Sequence, residues 1–231
     1  MRLPSFCVVV SSLLLAAAPA AFADTVTWAD WNAASKGIVT GTIGSVGVTY
    51  SGEISFVDPS NVGDFNYFQP TTTYVGGVVG NASTNGGLIA ITGAPGITDS
   101  FNFSTAVTGI VFSEVSLGQP GVATQYTFSQ GFDIEACGPN VVYGGGCITK
   151  DGDTLLGHES DGTILFTGGP VTSLTFTAQN PEFWNGFTIG LLPQGNPPPP
   201  PPPAVPEPET LALVGTGLLG LLTAAKRRLF A

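Results

Sequence analysis

Apolar residues recur at every second position through much of the chain, with Thr, Ser, Asn or Gly between them. Phe101-x-Phe103, Ile164-x-Phe166, Leu174-x-Phe176-x-Ala178 and Phe187-x-Ile189-x-Leu191 each put apolar side chains on one face of an extended segment, because successive strand side chains point to opposite faces. Ile38 to Ile43 and Val46 to Tyr50 predict a hairpin around Gly44-Ser45. Val107 to Val115 is more continuously apolar and predicts a central strand covered on both faces. A helical turn is predicted only at Trp28 to Ser35. Short strands separated by Gly-rich turns every 8 to 12 residues or so must pair two sheets to bury their apolar faces. The expectation is an all-β chain body, a single β-sandwich of jelly-roll type, over residues 24–192.

The alternation fails at both ends. At the start, Arg2 supplies a positive charge, Val8 to Ala18 an apolar stretch, and Ala21-Phe22-Ala23 a small-x-small site before Asp24. This pattern predicts a secretory signal peptide over residues 1–23, with the mature chain starting at Asp24. Cleavage there removes Cys7 and leaves Cys137 and Cys147 in an oxidising compartment. At the other end, residues 193–204 are a low-complexity linker whose Pro197 to Pro203 favour polyproline II, a stiff spacer.

Residues 205–231 have three parts in order. Val205-Pro206-Glu207-Pro208 is held extended, since proline fixes φ and lacks a backbone donor. Leu211 to Ala225 is an apolar run that predicts a single transmembrane helix, short for a bilayer at about 20 Å. Lys226, Arg227 and Arg228 then keep the C-terminal side on the cytoplasmic face, which leaves everything before Leu211 outside.

These features, Pro206-Glu207-Pro208, apolar helix and basic end, closely resemble the PEP-CTERM sorting signal of Gram-negative bacteria, also called the ice-binding protein C-terminal domain. Glu209 stands where that family often has Ser, while the Pro-Glu-Pro core is intact. The resemblance implies an exosortase partner in the inner membrane, a cut near the motif, and release of the body to the cell surface or extracellular matrix. Trp28-Ala29-Asp30-Trp31, Val48-Thr49-Tyr50-Ser51-Gly52, Ser116-Leu117-Gly118-Gln119-Pro120-Gly121 and Phe183-Trp184-Asn185-Gly186-Phe187-Thr188 also resemble a recurrent, functionally uncharacterised group of PEP-CTERM proteins. That likeness implies a secreted β domain and brings no activity with it.

Charge narrows the function. Between the two terminal segments the body holds Lys36 and Lys150 against fourteen acids, with no arginine. Nucleic-acid binding needs clustered cations to displace counterions from phosphates, so that class is excluded. Anionic lipid surfaces are disfavoured for the same reason, and the body repels its own copies.

Several constellations are candidates for chemistry. Cys137 and Cys147 bracket a Gly-rich loop and predict a structural disulfide, the sharper alternative being a catalytic or metal-binding pair. Asp151-Gly152-Asp153 with Glu159 and Asp161 is the densest acidic group and a candidate Ca²⁺ site at Asp151, Asp153 and Asp161. Hairpin turns at Asp151-Gly152 and Asp161-Gly162 account for the same residues. No other cofactor is expected. His158, the only histidine, lies beside Ser160 and Asp161, but neighbours so close in the chain cannot adopt triad geometry locally. A glycosidase needs two facing carboxylates, for which Glu53, Glu114, Asp133, Glu135, Glu159 and Glu182 are candidates by type, Asp133 and Glu135 sharing a strand face. Trp28, Trp31, Tyr50, Tyr67, Phe68, Tyr74 and Trp184 are either core or stacking platforms for sugars. Thr71-Thr72-Thr73 and Thr175-x-Thr177 lack the regular repeat that an ice-binding face would need. The expected role is a secreted, non-catalytic surface or extracellular-matrix protein, as the resemblance implies, associated with the exopolysaccharide of a biofilm. The alternatives are a Ca²⁺-dependent carbohydrate-binding module and a secreted glycoside hydrolase.

Overall fold

A computed structural model describes residues 23–63 and 65–193. Residues 1–22 of the predicted signal segment, Ala21 among them, the polyproline run, Val205 to Pro208, the predicted helix 211–225 and the basic cluster lie outside the described residues.

Among the described residues, sixteen strands build two sheets. β1 (Thr27–Trp28), β5 (Phe56–Asp58), β6 (Leu88–Ile91), β8 (Ile110–Leu117), β10 (Phe132–Cys137), β11 (Gly146–Cys147), β14 (Ser160–Phe166) and β16 (Asn185–Leu191) form the first. β2 (Asp30–Trp31), β3 (Ile38–Ile43), β4 (Val46–Ser51), β7 (Thr98–Val107), β9 (Thr124–Phe128), β12 (Thr149–Asp151), β13 (Thr154–Gly157) and β15 (Val171–Gln179) form the second. Their orders are β10-β14-β8-β16-β6-β5, with β1 on β16 and β11 on β14, and β12-β13-β9-β15-β7-β4-β3-β2. All pairings are antiparallel except β11 with β14. From β6 to β10 each successive strand changes sheet, which makes the body a two-sheet β-sandwich.

The alternation seen in the sequence sets this packing. Phe101 and Phe103, Leu174 and Phe176, and Phe187 and Ile189 turn inward and join Phe112, Tyr126 and Phe128 in one continuous core. Phe112 on β8 lies within ring contact of Phe101, Tyr126, Phe128, Phe176 and Phe187, at centroid distances from 5.1 to 6.5 Å. The first sheet is also covered on its outer side. Phe68, Tyr74 and Ala82 from the long segment between β5 and β6 pack on Leu88, Ala90 and Val115, while Val26 and Val79 pack on Val111. Every residue of β8 is therefore buried, its polar Ser113, Glu114 and Ser116 included.

Three local expectations change. Trp28 to Ser35 is not helical: the chain crosses here from β1 in the first sheet to β2 in the second. Its backbone is bonded to strand partners, Ala29 N–H donating to Ile189 and Asn32 N–H to Thr40, bonds that a helix would have to give up. The described helical turn is instead a 3₁₀ turn at Thr71–Thr73. Val107 to Val115 is not one strand, because Gly109 at φ +62° turns the chain between β7 and β8. Asp161-Gly162 is not a turn but the start of β14, and Asp161 is fully buried. The turns at Gly44-Ser45 and at Gly152-Asp153, between Asp151 and Thr154, close two-residue hairpins.

Candidate functional site

The outer face of the first sheet carries a cluster of partly exposed aromatic rings. Phe56 comes from β5, Phe65 and Tyr67 from the long segment before the 3₁₀ turn, Tyr143 from the loop after β10, and Trp184 from the approach to β16. Phe56 lies 5.6 Å from Trp184, Trp184 4.9 Å from Tyr143, and Tyr143 6.2 Å from Phe65, between ring centroids. Tyr67 sits among them, 4.7 Å from Phe65 edge-on, 6.2 Å from Tyr143 nearly parallel, and 6.4 Å from Trp184. Phe56 and Phe65 are 39% and 45% exposed, well above what a core aromatic shows. The two ends of the cluster are thus open to solvent, while Tyr67, Tyr143 and Trp184 between them also pack on Phe68 and Tyr74.

Polar groups fix it in place. Asn140, nearly buried, donates from Nδ2 to the Tyr67 carbonyl at 2.6 Å and to the Tyr74 hydroxyl at 2.8 Å. Its Oδ1 accepts from the backbone N–H of Val142 and Tyr143 at 2.9 and 3.1 Å. One side chain therefore ties the two tyrosine-bearing segments together. The Cys137–Cys147 disulfide, formed as the sequence predicts, closes the loop that carries Tyr143. Gly144 at φ +79° lets that loop pass over Asp161, whose carboxylate a Cβ would strike. Burial pushes the Tyr67 hydroxyl up to about 12, reinforced by the Asp58 carboxylate beside it. Phe65 also lines a depression of about 210 Å³ whose other walls include Asn61, Asn66, Thr84 and Asn85.

Replacing both cysteines by serine is expected to cost about 3 kcal/mol, the entropy that an eleven-residue ring removes from the unfolded chain. Denaturant titration of Cys137→Ser/Cys147→Ser checks this, and an unchanged midpoint would contradict it.

A second set of groups consists of buried and half-buried acids in and around the sandwich. Glu114 of β8 shares its strand face with Phe112 and is fully buried, and both carboxylate oxygens lack a hydrogen-bond partner among the described residues. Burial raises its pKa well above the usual range, and the nearby acids Glu182 and Asp161 raise it further. Asp161 accepts from the Ser116 N–H at 2.9 Å and the Tyr74 hydroxyl at 3.2 Å. Burial still lifts it to about 7. Glu182 accepts from the Gly118 N–H at 2.6 Å and Asn185 Nδ2 at 2.7 Å, and burial lifts it to about 7 as well. Asp99, buried between Tyr50 and the Glu53 N–H, rises to about 6.

The remaining predicted residues are placed apart. Asp151 and Asp153 sit exposed at the β12–β13 turn of the second sheet, whereas Asp161 is buried in the first, so the three candidate Ca²⁺ ligands are not brought together. Among the described residues no group of three or more His, Cys, Asp or Glu stands close enough to hold a metal. Asp133 pairs with Lys150 at 3.2 Å, while Glu135 accepts from the Val78 N–H at 2.9 Å, so the two acids of β10 are engaged separately. Glu53 accepts from Thr92 and, at 2.8 Å, from the Ala94 N–H, pinning the turn after β6. His158 is exposed, and its backbone N–H donates to Ser160 Oγ at 2.9 Å. Of the seven aromatics named from sequence, Trp31, Tyr50, Phe68 and Tyr74 are core, and Trp28 is half-buried, packed on the Val26–Val79–Val111 cluster. Only Tyr67 and Trp184 reach the exposed cluster; Phe56, Phe65 and Tyr143 were not foreseen. Phe65-Asn66-Tyr67 carries one readable signal, since rings at i and i+2 of an extended chain share a side.

Asp24 donates its backbone N–H to Val78 at 2.8 Å and accepts from Gly80 at 2.8 Å, while Ala23 is exposed. A chain beginning at Asp24 retains both bonds, since a free amine still donates.

No curated protein and no solved structure matches the chain. The PEP-CTERM protein-sorting motif matches residues 204–228, which contain Pro206-Glu207-Pro208, the apolar run and the basic cluster. The signal implies export through the membrane to the cell surface with exosortase processing. The chain therefore carries a PEP-CTERM protein-sorting motif near its C-terminus, after its β-sandwich body.

Proposed function

We propose that the exported body is a non-catalytic surface or extracellular-matrix protein of a Gram-negative bacterium. The observation that carries this reading is the use of the acids. Glu53, Glu135 and Glu182 accept backbone N–H bonds that hold loops in place, and Glu114 is sealed between the sheets. Hydrolysis of a glycoside instead asks for two carboxylates that reach substrate from opposite sides of a cleft. Glu53, Glu135 and Glu182 are thus engaged as structural acceptors, while rings such as Phe56 and Phe65 face solvent. Incubating the full chain with soluble and insoluble polysaccharides in a reducing-sugar assay is expected to give no release above buffer. Release that survives purification and is lost with Glu182→Gln would establish a hydrolase instead.

A further inference from the structure

We propose that the aromatic cluster of Phe56, Trp184, Tyr143, Tyr67 and Phe65 is a binding face for an uncharged polysaccharide chain. The inference rests on the non-catalytic reading above and names the ligand class that such a surface protein takes.

The cluster is unlike a core. Five rings from four separate chain segments converge on the outside of the first sheet, and those at its ends are the most exposed. Maintaining such a patch in water costs free energy, and large exposed apolar patches rimmed by polar groups mark binding surfaces. The supporting structure is rigid: Asn140 joins the Tyr67 and Tyr143 segments, and the disulfide closes the Tyr143 loop. A ligand that meets pre-set rings loses less freedom on binding than one that must order them.

The chemistry selects the occupant. A pyranose ring has one face of C–H bonds, which stacks on an aromatic ring, and a rim of hydroxyls, which needs hydrogen-bonding partners beside that ring. Both are present: the Tyr67 hydroxyl and Asp58 carboxylate lie within the cluster, and Asn61, Asn66, Thr84 and Asn85 line the depression that Phe65 shares. Rings 5 to 6 Å apart from Phe56 through Trp184 and Tyr143 to Phe65 offer successive contacts to a polymer.

Charge excludes the rival occupants. The body carries Lys36 and Lys150 against fourteen acids, and neither lysine belongs to the cluster. Uronate polymers, nucleic acids and anionic lipid are repelled, and so is a second copy of the same chain. An uncharged glycan meets no such repulsion.

The test uses the full chain in a detergent without a sugar headgroup, depleted from solution by cellulose, chitin and insoluble β-1,3-glucan, with alginate as the charged comparison. Saturable retention on at least one uncharged polymer is expected. Trp184→Ala/Tyr143→Ala is expected to weaken it about tenfold or more, since aromatic anchors dominate such contacts. Ile38→Ala, an exposed apolar position on β3 of the other sheet, is expected to bind as the original does. If the double variant does not fold, Phe65→Ala serves, because its ring is the most exposed of the five. The proposal is overturned by no retention on any uncharged polymer, by retention on alginate alone, by retention that the aromatic variants leave unchanged, or by a dimer that those variants dissolve. Sugar release from a retained polymer would refute the non-catalytic reading while leaving the binding face standing.

Discussion

Raising the pH from 5 to 8 is expected to lower the stability of this protein steadily, and Glu114→Gln is expected to remove a large part of that loss. Asp99, Asp161 and Glu182 titrate at about 6, 7 and 7 in the folded chain, and Glu114 higher still, all because burial penalises the carboxylate. Unfolded, these groups ionise near 4. Between the two values the folded state holds protons that the unfolded state has released, so stability falls as pH rises. Below about pH 4 both states are protonated and the slope from these groups vanishes. Above about 7, Asp99, Asp161 and Glu182 stop contributing. Glu114, with neither oxygen partnered among the described residues, continues. A group neutral when folded and ionised when unfolded costs about 1.4 kcal/mol per pH unit. Denaturant unfolding of both proteins at pH 5, 6.5 and 8 is expected to show the Glu114→Gln curve flatter by about that slope. Parallel curves would mean that Glu114 is hydrated or paired.

Phe112→Ala is expected to destabilise the body by about 4 kcal/mol, the upper part of the range for emptying an aromatic site in a packed core. Phe112 is fully buried on the central strand and meets five other rings drawn from β7, β9, β15 and β16, so both sheets lose contacts at once. Neighbours held by strand ladders on either side cannot close the gap. The midpoint of urea unfolding reads this directly. A loss below about 1 kcal/mol would mean that the two sheets do not share one core.

The sandwich was legible in the sequence because alternation is a local signal. Phe101-x-Phe103 and Phe187-x-Ile189 announce a buried face without reference to any other segment, and both lie where they were expected. The stretch from Trp28 to Ser35 misled because its two tryptophans at i and i+3 fit a helix as well as a chain crossing between sheets. Trp28 packs against Val26, Val79 and Val111 with its indole N–H on the Asn81 carbonyl, while Trp31 donates to Thr188 inside the sandwich. Only partners far along the chain decide between the two. Asp161 shows the same limit. Asp-Gly reads as a turn, yet the Ser116 N–H, 45 residues earlier, donates to that carboxylate and holds it buried.

The aromatic cluster was half visible for the same reason. Tyr67 and Trp184 were singled out by type, but their neighbourhood depends on Asn140 and the disulfide drawing Tyr143 beside them. The sorting signal was the opposite case, because its three parts are contiguous and each has its own composition, so nothing about the fold was needed to read it.

The central claim is that this β-sandwich is delivered to the cell surface through its Pro-Glu-Pro signal. Its most direct test compares the full chain with Pro206→Ala/Glu207→Ala/Pro208→Ala in a bacterium that has an exosortase, by cell fractionation and intact mass. The original is expected outside the inner membrane, starting at Asp24 and shortened near the motif, with the variant held in the inner membrane with its C-terminal segment uncut. Equal export and equal mass of the two proteins would contradict the account.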